Sequence, residues 1–269
     1  MQNYTLEAKK KIQVVLIGTG KVAKSLGAAL HRKEVHFAGV FGRNATRLHH
    51  IASMLETVPF DQLSKLPRDA DLYFLAVSDD AVAEVSQQLG TVSGLVVHVS
   101  GSLPATILAS SHERYGVFYP LQTFSDDRQV NFDAIPIFVQ ANNPQDALLL
   151  HHLATLLSQT VIESTDEMRS QLHLAAVFAC NFVNALYTMS EGLLGSKNLD
   201  FNLLHPLIIE TAQKATLISP ELAQTGPARR GDTSAINNHL QLLENHPHEK
   251  AVYNALTTFL LEKYHSTKS

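Results

Sequence analysis

A glycine-containing turn that follows an apolar run is the feature of this sequence with the clearest chemistry. The run from Ile12 to Ile17 leads directly into the first turn of an amphipathic helix. The turn matches the pattern G-x-G-x-x-[GA] and consists of Gly18, Thr19, Gly20, Lys21, Val22 and Ala23. In this pattern the first glycine permits the tight turn, the second lets the backbone approach a pyrophosphate, and the last small residue allows close helix packing. The helix N-terminus supplies N–H groups and a positive dipole end, so we expect a dinucleotide site here. A tight turn without a ligand is the alternative.

The residues after the second apolar run indicate which dinucleotide is bound. NAD-specific domains usually carry Asp or Glu at this point, to hold the ribose hydroxyls. Here the run ends at Phe41 and is followed by Gly42, Arg43 and Asn44. The planar, permanently charged guanidinium of Arg43 suits a 2′-phosphate, and Asn44 adds a donor while it caps the next helix. We therefore expect NADP(H) rather than NAD(H). The alternative for Arg43 is a solvated loop cation.

Two further loops are expected to flank the bound dinucleotide. Each follows an apolar run, and ligands of open α/β sheets bind outside the carboxyl ends of the strands. The residues concerned are Val77, Ser78 and Asp79 in the first loop, and Ser100 and Gly101 in the second. Two alternatives remain open: Asp79 is equally suited to cap a helix, and Ser100 with Gly101 to form a plain turn.

The helix predicted from 166 to 194 carries polar side chains within an apolar sequence. At about 100° per residue, His173, Cys180 and Asn184 share one face, and Asn181 lies beside it. If this face is directed at the nicotinamide, His173 is the candidate general acid, because the ordinary pKa of histidine lies near neutrality. Asn181 and Asn184 would then orient a substrate carbonyl or carboxylate. The alternative is that these side chains only form hydrogen bonds within the fold.

A loop shaped by glycine and proline, from Thr225 to Asp232, is a second candidate for substrate binding. Arg230 and Asp232, together with Arg229, would clamp an anionic substrate. The alternative is a structural loop in which Asp232 caps the helix that follows.

The elements that position these residues form two domains. Seven short apolar runs are predicted as buried strands, at 12–17, 35–41, 72–77, 95–99, 116–119, 135–140 and 160–164. Helical periodicity between them, at 22–31, 45–54, 79–89 and 144–158, gives the β-α-β alternation of a doubly wound, Rossmann-type parallel sheet. Helical patterns alone follow, at 166–194, 203–219 and 251–263. We therefore predict an α/β dinucleotide-binding domain over 1–165 and an all-helical substrate and dimerisation domain over 166–269.

Composition argues against several other classes of protein. With 21 basic and 25 acidic residues and no basic block, the chain has no electrostatic footprint for nucleic acid or an anionic membrane. A single cysteine, Cys180, fits a reducing cytoplasm. No membrane span is expected, because polar residues interrupt the most apolar helix, and no metal site is expected, because the histidines lack ligand spacing.

These segments together resemble a bacterial family of Rossmann-like proteins with a helical C-terminal domain of unknown function. That family is distantly related to pyrroline-5-carboxylate reductase and to coenzyme-F420-dependent NADP oxidoreductases. The resemblance rests on the glycine turn and on segments 98–102, 120–124, 173–182 and 226–232. It implies a two-domain NADP-linked oxidoreductase that forms a homodimer through its helices. The sequence lacks the Lys-x-x-x-Asn pair of hydroxyacid dehydrogenases and the Thr-Ser-Pro-Gly segment of pyrroline-5-carboxylate reductase, which puts both of those activities in doubt.

The function expected from the sequence is hydride transfer between NADP(H) and a small carbonyl, imine or related substrate. The substrate would occupy the cleft between the two domains. A second hypothesis is an NADP(H)-binding sensor or regulatory protein without turnover, because a fold and a cofactor do not establish catalysis. A deazaflavin partner in place of an organic substrate ranks last.

Overall fold

The computed structural model describes residues 12–125 and 130–265 of the chain. The chain divides into two compact units, Met1–Cys180 and Asn181–Ser269. The first unit holds a sheet covered by helices, and the second is helical. The division falls inside a long helix that begins at Asp166. The domain boundary inferred at residue 165 therefore stays a prediction.

An eight-stranded sheet forms the centre of the first unit, in the order β3-β2-β1-β4-β5-β6-β7-β8. Its strands are β1 (Gln13–Ile17), β2 (His36–Phe41), β3 (Pro59–Phe60), β4 (Leu72–Leu75), β5 (Leu95–His98), β6 (Tyr115–Pro120), β7 (Ile137–Ala141) and β8 (Val161–Glu163). All seven predicted strands are present, and the two-residue β3 is additional. The order of the first six strands is that of the Rossmann fold, which confirms the predicted fold class.

One strand pair departs from the parallel arrangement. Strands β6 and β7 pair antiparallel, whereas the other neighbours in the sheet are parallel. A parallel connection needs a crossover of a dozen or more residues, usually a helix. The described residues between β6 and β7 form only a single 3-10 turn, Phe132–Ala134, and the N–H of Leu121 donates to the carbonyl oxygen of Pro136 at 2.9 Å. The chain therefore returns beside the strand it has just left.

Helices cover both faces of the sheet, as its buried strands require. They are α1 (Lys21–His31), α2 (Ala45–Met54), α3 (Val82–Leu89) and α4 (Pro144–Leu157). Successive residues of β1 point to opposite sides: Val14 and Leu16 pack in the cluster with α1, α2 and α4, while Val15 and Ile17 pack in the cluster with α3. The carboxyl ends of the parallel strands β1, β2, β4, β5 and β6 consequently lie at one edge of the sheet.

Helices dominate the chain after β8. They are α5 (Asp166–Ala176), a π-helical segment (Val177–Phe182), α6 (Val183–Gly195), α7 (His205–Leu217), α8 (Pro220–Ala223), α9 (Pro227–Arg230), α10 (Thr233–Leu242) and α11 (Pro247–His265). The three long predicted helices are found, while α8, α9 and α10 were not predicted as helices. By length and composition alone, the continuous helix Asp166–Gly195 would be able to cross a membrane, and its most apolar window is not buried. The expected absence of a membrane span therefore stays a prediction.

The second unit buries few of its own side chains. Of the described residues 181–265, only Ala228, Ile236 and Leu243 are buried. Among its leucines, Leu203 and Leu207 are 65% and 62% exposed. Burial of apolar area is the main force that stabilises a domain, so these helices lack the core that an independent fold requires.

Candidate functional site

The glycine turn after β1 has the geometry that its sequence predicts. Gly18 has a φ of +124°, and a Cβ on it would overlap the carbonyl oxygen of Ala76 in the neighbouring chain segment. The N–H of Gly18 donates to the carbonyl oxygen of Phe41 at 2.8 Å. Gly18 is therefore required by the fold itself, because any side chain would meet the backbone beyond β4.

Gly20 plays a different part in the same turn. It precedes α1 as the N-cap residue with a φ of −78°. Apart from its neighbours along the chain, no atom of the described residues lies within 4 Å of the position that its Cβ would take. The fold thus does not require glycine there. The open space lies at the N-terminus of α1, whose N–H groups would face an anion in it. One turn further on, Ala23 is fully buried against the sheet, while Lys21 is exposed.

An exposed arginine, Arg43, follows β2 and lies beside this turn. A Cβ on Gly42 would overlap the side chain of Thr19, so the two loops pack closely. Arg43 is exposed and has no hydrogen bond or ion pair within the described part of the chain. Asn44 caps α2 and accepts a hydrogen bond from the N–H of Arg47 at 2.9 Å. The guanidinium of Arg43 is therefore free to bind a ligand.

The loops after β4 and β5 are joined through a carboxylate. Oδ2 of Asp79 accepts hydrogen bonds from the hydroxyls of Ser100, at 2.8 Å, and Ser102, at 2.6 Å. Ser100 Oγ also accepts from the N–H groups of Ser102 and Leu103. Asp79 is not a helix cap, the alternative considered above, because α3 begins after Ala81 and has no side-chain cap. Val77 is half-buried and Ser78 exposed at the same sheet edge.

A neutral histidine holds the base of the loop after β5. His98 is fully buried; its Nδ1 accepts the N–H of Ser100 at 3.2 Å, and its Nε2 lies 3.3 Å from the carbonyl oxygen of Pro104. Burial, reinforced by the nearby charge of Arg169, lowers the pKa of His98 to about 4. The ring is thus uncharged at neutral pH, with the proton on Nε2, and it fixes the backbone conformation that Gly101 continues.

His173 lies over this loop, next to a tyrosine. Its Nδ1 is 3.1 Å from the hydroxyl of Tyr119, at the end of β6. A Cβ on Gly101 would lie 2.6 Å from Nδ1 of His173 and 2.6 Å from Cζ of Tyr119. Both rings therefore rest on the backbone of Gly101, which is small enough to admit them. His173 therefore lies at the sheet edge that also carries the glycine turn, and its role as general acid stays a prediction.

An ion pair between a fully buried arginine and a half-buried aspartate fixes the start of α5, one turn before His173. Arg169 is fully buried, and its guanidinium donates to Asp166 at 2.8 Å, to Oε1 of Gln140 at 2.5 Å and to the carbonyl oxygen of Leu103 at 2.5 Å. Oδ1 of Asp166 also accepts the N–H of Ala105 at 2.9 Å. These contacts tie α5 to β7 and to the loop after β5, so they determine where His173 lies.

The remaining predicted substrate residues belong to the second unit. Asn181 and Asn184 are exposed there, and Cys180 ends the first unit, also exposed. The helix is a π-helix from Val177 to Phe182. The spacing of 100° per residue, which placed these side chains on the face of His173, does not hold across such a segment.

The loop with the two arginines is built around its own contacts. Asp232 caps α10 and accepts the N–H of Ala235 at 3.0 Å, as one alternative expected. The guanidinium of Arg229 stacks over the ring of Tyr264 at 4.3 Å. Arg230 is exposed. A role of Arg230 and Asp232 toward substrate stays a prediction.

Sequence reasoning assigned no role to two residues of this site, Tyr119 and Arg169, whereas Ser102 lies in a loop that was expected to flank the dinucleotide. Arg169 stands among other polar residues of α5, namely Asp166, Glu167, Ser170 and Gln171, so nothing in its neighbours signalled burial. Tyr119 carried no such signal, because only the fold brings the end of β6 under α5.

Comparison with known proteins agrees with this organisation. A Rossmann-like domain model matches residues 3–122, and a model of a domain of unknown function, DUF2520, matches residues 135–259. The structure of a Bacteroides fragilis protein named "putative NADP oxidoreductase" is 39% identical, with a TM-score of 0.88 over 94% of this chain and 98% of that chain. No curated protein sequence matches significantly.

More distant structures share the fold. A Thermotoga maritima protein is 22% identical, with a TM-score of 0.80 over 94% of this chain and all of that chain (100%). A reductive aminase from Aspergillus terreus, solved in complex with NADPH and ethyl-5-oxohexanoate, is 12% identical, with a TM-score of 0.69 over 93% of each chain. At such identities the likeness concerns the fold alone.

Proposed function

Because the chain belongs to the family in which a Rossmann-like domain is followed by a DUF2520 domain, together with the Bacteroides fragilis protein, we propose that it is an NADP(H)-dependent oxidoreductase. Its substrate is a small carbonyl, imine or related compound, as the sequence suggests. The observation that carries the proposal is the position of Arg43, free and exposed, beside the glycine turn.

The residues at the sheet edge fit NADP(H). The space beside Gly20, which a Cβ would fill, accommodates a pyrophosphate at the N-terminus of α1. Arg43 binds the 2′-phosphate through its planar donors, and Asn44 supports it. The names of the Bacteroides fragilis and Aspergillus terreus proteins point to the same cofactor. When bound, this cofactor supplies a hydride.

The side chains and backbone of the protein orient the reacting groups and supply a proton. Asp79 and His98 fix the loop of Ser100 and Gly101 through hydrogen bonds, and this loop lies next to the reacting groups. His173, resting on Gly101, is the candidate general acid or its partner. In a single-cysteine protein this chemistry fits the reducing cytoplasm.

Arg43→Ala is expected to weaken NADPH binding by about 10- to 100-fold, since a charge-assisted hydrogen bond contributes about 1.5–3 kcal/mol. NADH binding should change less than threefold, because NADH has no 2′-phosphate. Parallel calorimetric titrations with NADPH, NADP, NADH and NAD measure both effects. Arg47→Ala is the matched control, since Arg47 is also exposed but lies a turn into α2. Equal weakening of both cofactors by Arg43→Ala would contradict the 2′-phosphate assignment.

The sensor hypothesis predicts the same binding but no turnover. An enzyme should oxidise NADPH with at least one carbonyl or imine compound, and His173→Ala should lower turnover while leaving cofactor affinity near the wild-type value. A protein that binds NADPH tightly and reduces no member of a broad panel would instead be a sensor.

We further propose that the helical unit pairs with a second copy of this chain. Large apolar side chains of this unit are between 56% and 81% exposed: Leu203, Leu207, Ile209, Leu217, Leu242 and Phe259. Isolated exposed leucines are ordinary. A unit that has only three buried side chains among its described residues, and this much exposed apolar surface, needs a partner. A stable dimer covers about 800 Å² on each protomer, and twofold homodimers are the commonest assembly.

The double variant Leu203→Glu with Leu207→Glu is expected to weaken this dimer by about 100-fold or more, because two carboxylates would be desolvated in the interface. Light scattering after size exclusion, over a range of concentrations, measures the mass. Leu148→Glu is the control: Leu148 is 70% exposed but lies on α4 in the first unit. A wild-type protein that is monomeric at micromolar concentration would overturn the proposal.

A further inference from the structure

The contact between Tyr119 and His173 suggests which substrates the site reduces. We propose that Tyr119 is the proton donor of the site, positioned by His173, and that the substrate is a ketone or an aldehyde rather than an imine. This inference rests on the proposed NADP(H)-dependent activity, and it narrows the substrate class.

The phenol hydroxyl of Tyr119 lies where the reacting groups are expected, beside His173 and Gly101. Its hydroxyl is 3.1 Å from Nδ1 of His173, and Gly101 lies against both rings. Tyr119 is 9% exposed, and the phenol ends β6 at the carboxyl edge of the sheet. In a Rossmann fold, the loop that contains Gly101 borders the bound dinucleotide at this edge. The Tyr119 hydroxyl and Nδ1 of His173 both border this space, at 2.8 Å and 2.6 Å from the position of a Cβ on Gly101.

The acidity of a phenol suits an alcohol product. Burial raises the pKa of Tyr119 above its ordinary value near 10; Arg169 opposes the shift and Asp79 adds to it. The hydroxyl therefore keeps its proton at neutral pH. An alkoxide formed by hydride addition is far more basic than a phenolate, so its conjugate acid has a much higher pKa than the phenol. Proton transfer from Tyr119 to that oxygen is strongly favourable.

Reduction of an imine requires a stronger acid than reduction of a ketone does. Its nitrogen must be protonated before the carbon accepts a hydride, and a phenol with a raised pKa is too weak an acid for that step. Two carboxyl groups of this sheet edge are already engaged as acceptors: Asp79 by two serine hydroxyls, and Asp166 by Arg169 and a backbone N–H. His98 is neutral and buried. Nδ1 of His173 is engaged with the Tyr119 hydroxyl, so a proton from the imidazole reaches the substrate through the phenol.

The proposed step balances in atoms and charge. The carbonyl carbon accepts the hydride, and the electron pair of the C=O π bond moves to the oxygen. The oxygen takes the proton of Tyr119 and becomes the alcohol hydroxyl. The phenolate regains a proton from Nδ1 of His173, and the imidazole takes one from water at Nε2. One substrate, one hydride and one solvent proton thus give one alcohol.

The first experiment compares matched substrates with the full-length protein and NADPH. Cyclopentanone and pyrroline share a five-membered ring, and a panel of small ketones and aldehydes with their imine counterparts extends the pair. We expect ketones or aldehydes to be reduced at least tenfold faster than the matched imines. Faster reduction of imines, or no reduction of any carbonyl compound, would overturn the inference. Calorimetry tests NADPH binding separately, so a failure of the proposed function is recognised as such.

Variants test the role of the phenol. Tyr119→Phe keeps the ring and should lower carbonyl turnover by about 100- to 10,000-fold with unchanged NADPH affinity. Tyr115→Phe, at the start of the same strand, is the control and should retain turnover. The imidazole nitrogen NMR signals of His173 should shift in Tyr119→Phe even without cofactor or substrate, because Nδ1 loses its partner. Unchanged turnover in Tyr119→Phe would remove Tyr119 from the mechanism.

Discussion

Gly20→Ala is expected to weaken NADPH binding by about 100-fold, or about 2.7 kcal/mol, while the free energy of unfolding stays within about 1 kcal/mol of the wild type. The methyl group would occupy the space at the N-terminus of α1, where no atom of the described chain lies within 4 Å. A pyrophosphate would then lose its approach to the backbone. The fold loses little, because alanine adopts a φ of −78° without strain.

Gly18→Ala should act mainly on the free energy of unfolding. Alanine would be strained at a φ of +124°, and its Cβ would overlap the carbonyl oxygen of Ala76. We expect a loss of stability of about 4 kcal/mol from the two effects together. Gly90→Ala separates them, since Gly90 also has a positive φ, of +65°, but open space at its Cβ.

Denaturant unfolding and calorimetric titration of the three variants give the two quantities independently. Gly90→Ala should lose about 1–3 kcal/mol from backbone strain alone, because Gly90 combines a φ of +65° with a ψ of −165°, and it should bind NADPH normally. Normal NADPH affinity in Gly20→Ala would mean that the glycine turn is structural, and the cofactor assignment would fall with it.

The local features of this site were predictable because neighbouring residues determine them. An apolar run followed by Gly18 and Gly20 specifies a strand, a turn and a helix within a dozen residues. The cap formed by Asn44 is equally local, since its oxygen reaches an N–H three residues ahead. The apolar runs also gave every strand of more than two residues, because buried strands of this length are continuous in sequence.

Features that depend on distant residues were not predictable. The run that forms β7 shows a strand but not its direction, which follows from the short connection after β6. The regular helical spacing used for Asn181 and Asn184 fails because a π-helical segment intervenes, and no residue type announces one. The contact of Tyr119 with His173 joins residues 54 positions apart. Such contacts emerge only once the sheet has formed.

Arg169→Met is expected to lower the stability of the protein by about 3–5 kcal/mol, which corresponds to roughly 10 °C in the thermal midpoint. Methionine fills much of the volume but leaves Asp166, Gln140 and the carbonyl of Leu103 without their donor. The control is Arg32→Met, because Arg32 is exposed after α1 and its loss should change the midpoint by less than about 2 °C.

A double-mutant cycle distinguishes the interaction between Arg169 and Asp166 from a simple loss of packing. Asp166→Asn keeps an oxygen for the N–H of Ala105 but removes the charge opposite a fully buried guanidinium. The two single variants should therefore be coupled, and the double variant should be more stable than their summed effects by about 1–3 kcal/mol. Additive effects would show that the two side chains stabilise the fold independently.

The pH dependence gives a further test of the same pair. Burial raises the pKa of Asp166, but the N–H of Ala105 and the guanidinium of Arg169 outweigh it, so the pKa is lowered overall. A lowered pKa stabilises the folded protein above the ordinary value near 3.9, and this contribution disappears as the pH falls through the folded pKa. The difference in stability between wild type and Arg169→Met should therefore shrink at strongly acidic pH. A difference that stays constant with pH would mean that hydrogen bonds to neutral groups, rather than the charge of Asp166, account for the role of Arg169 in positioning α5 and His173.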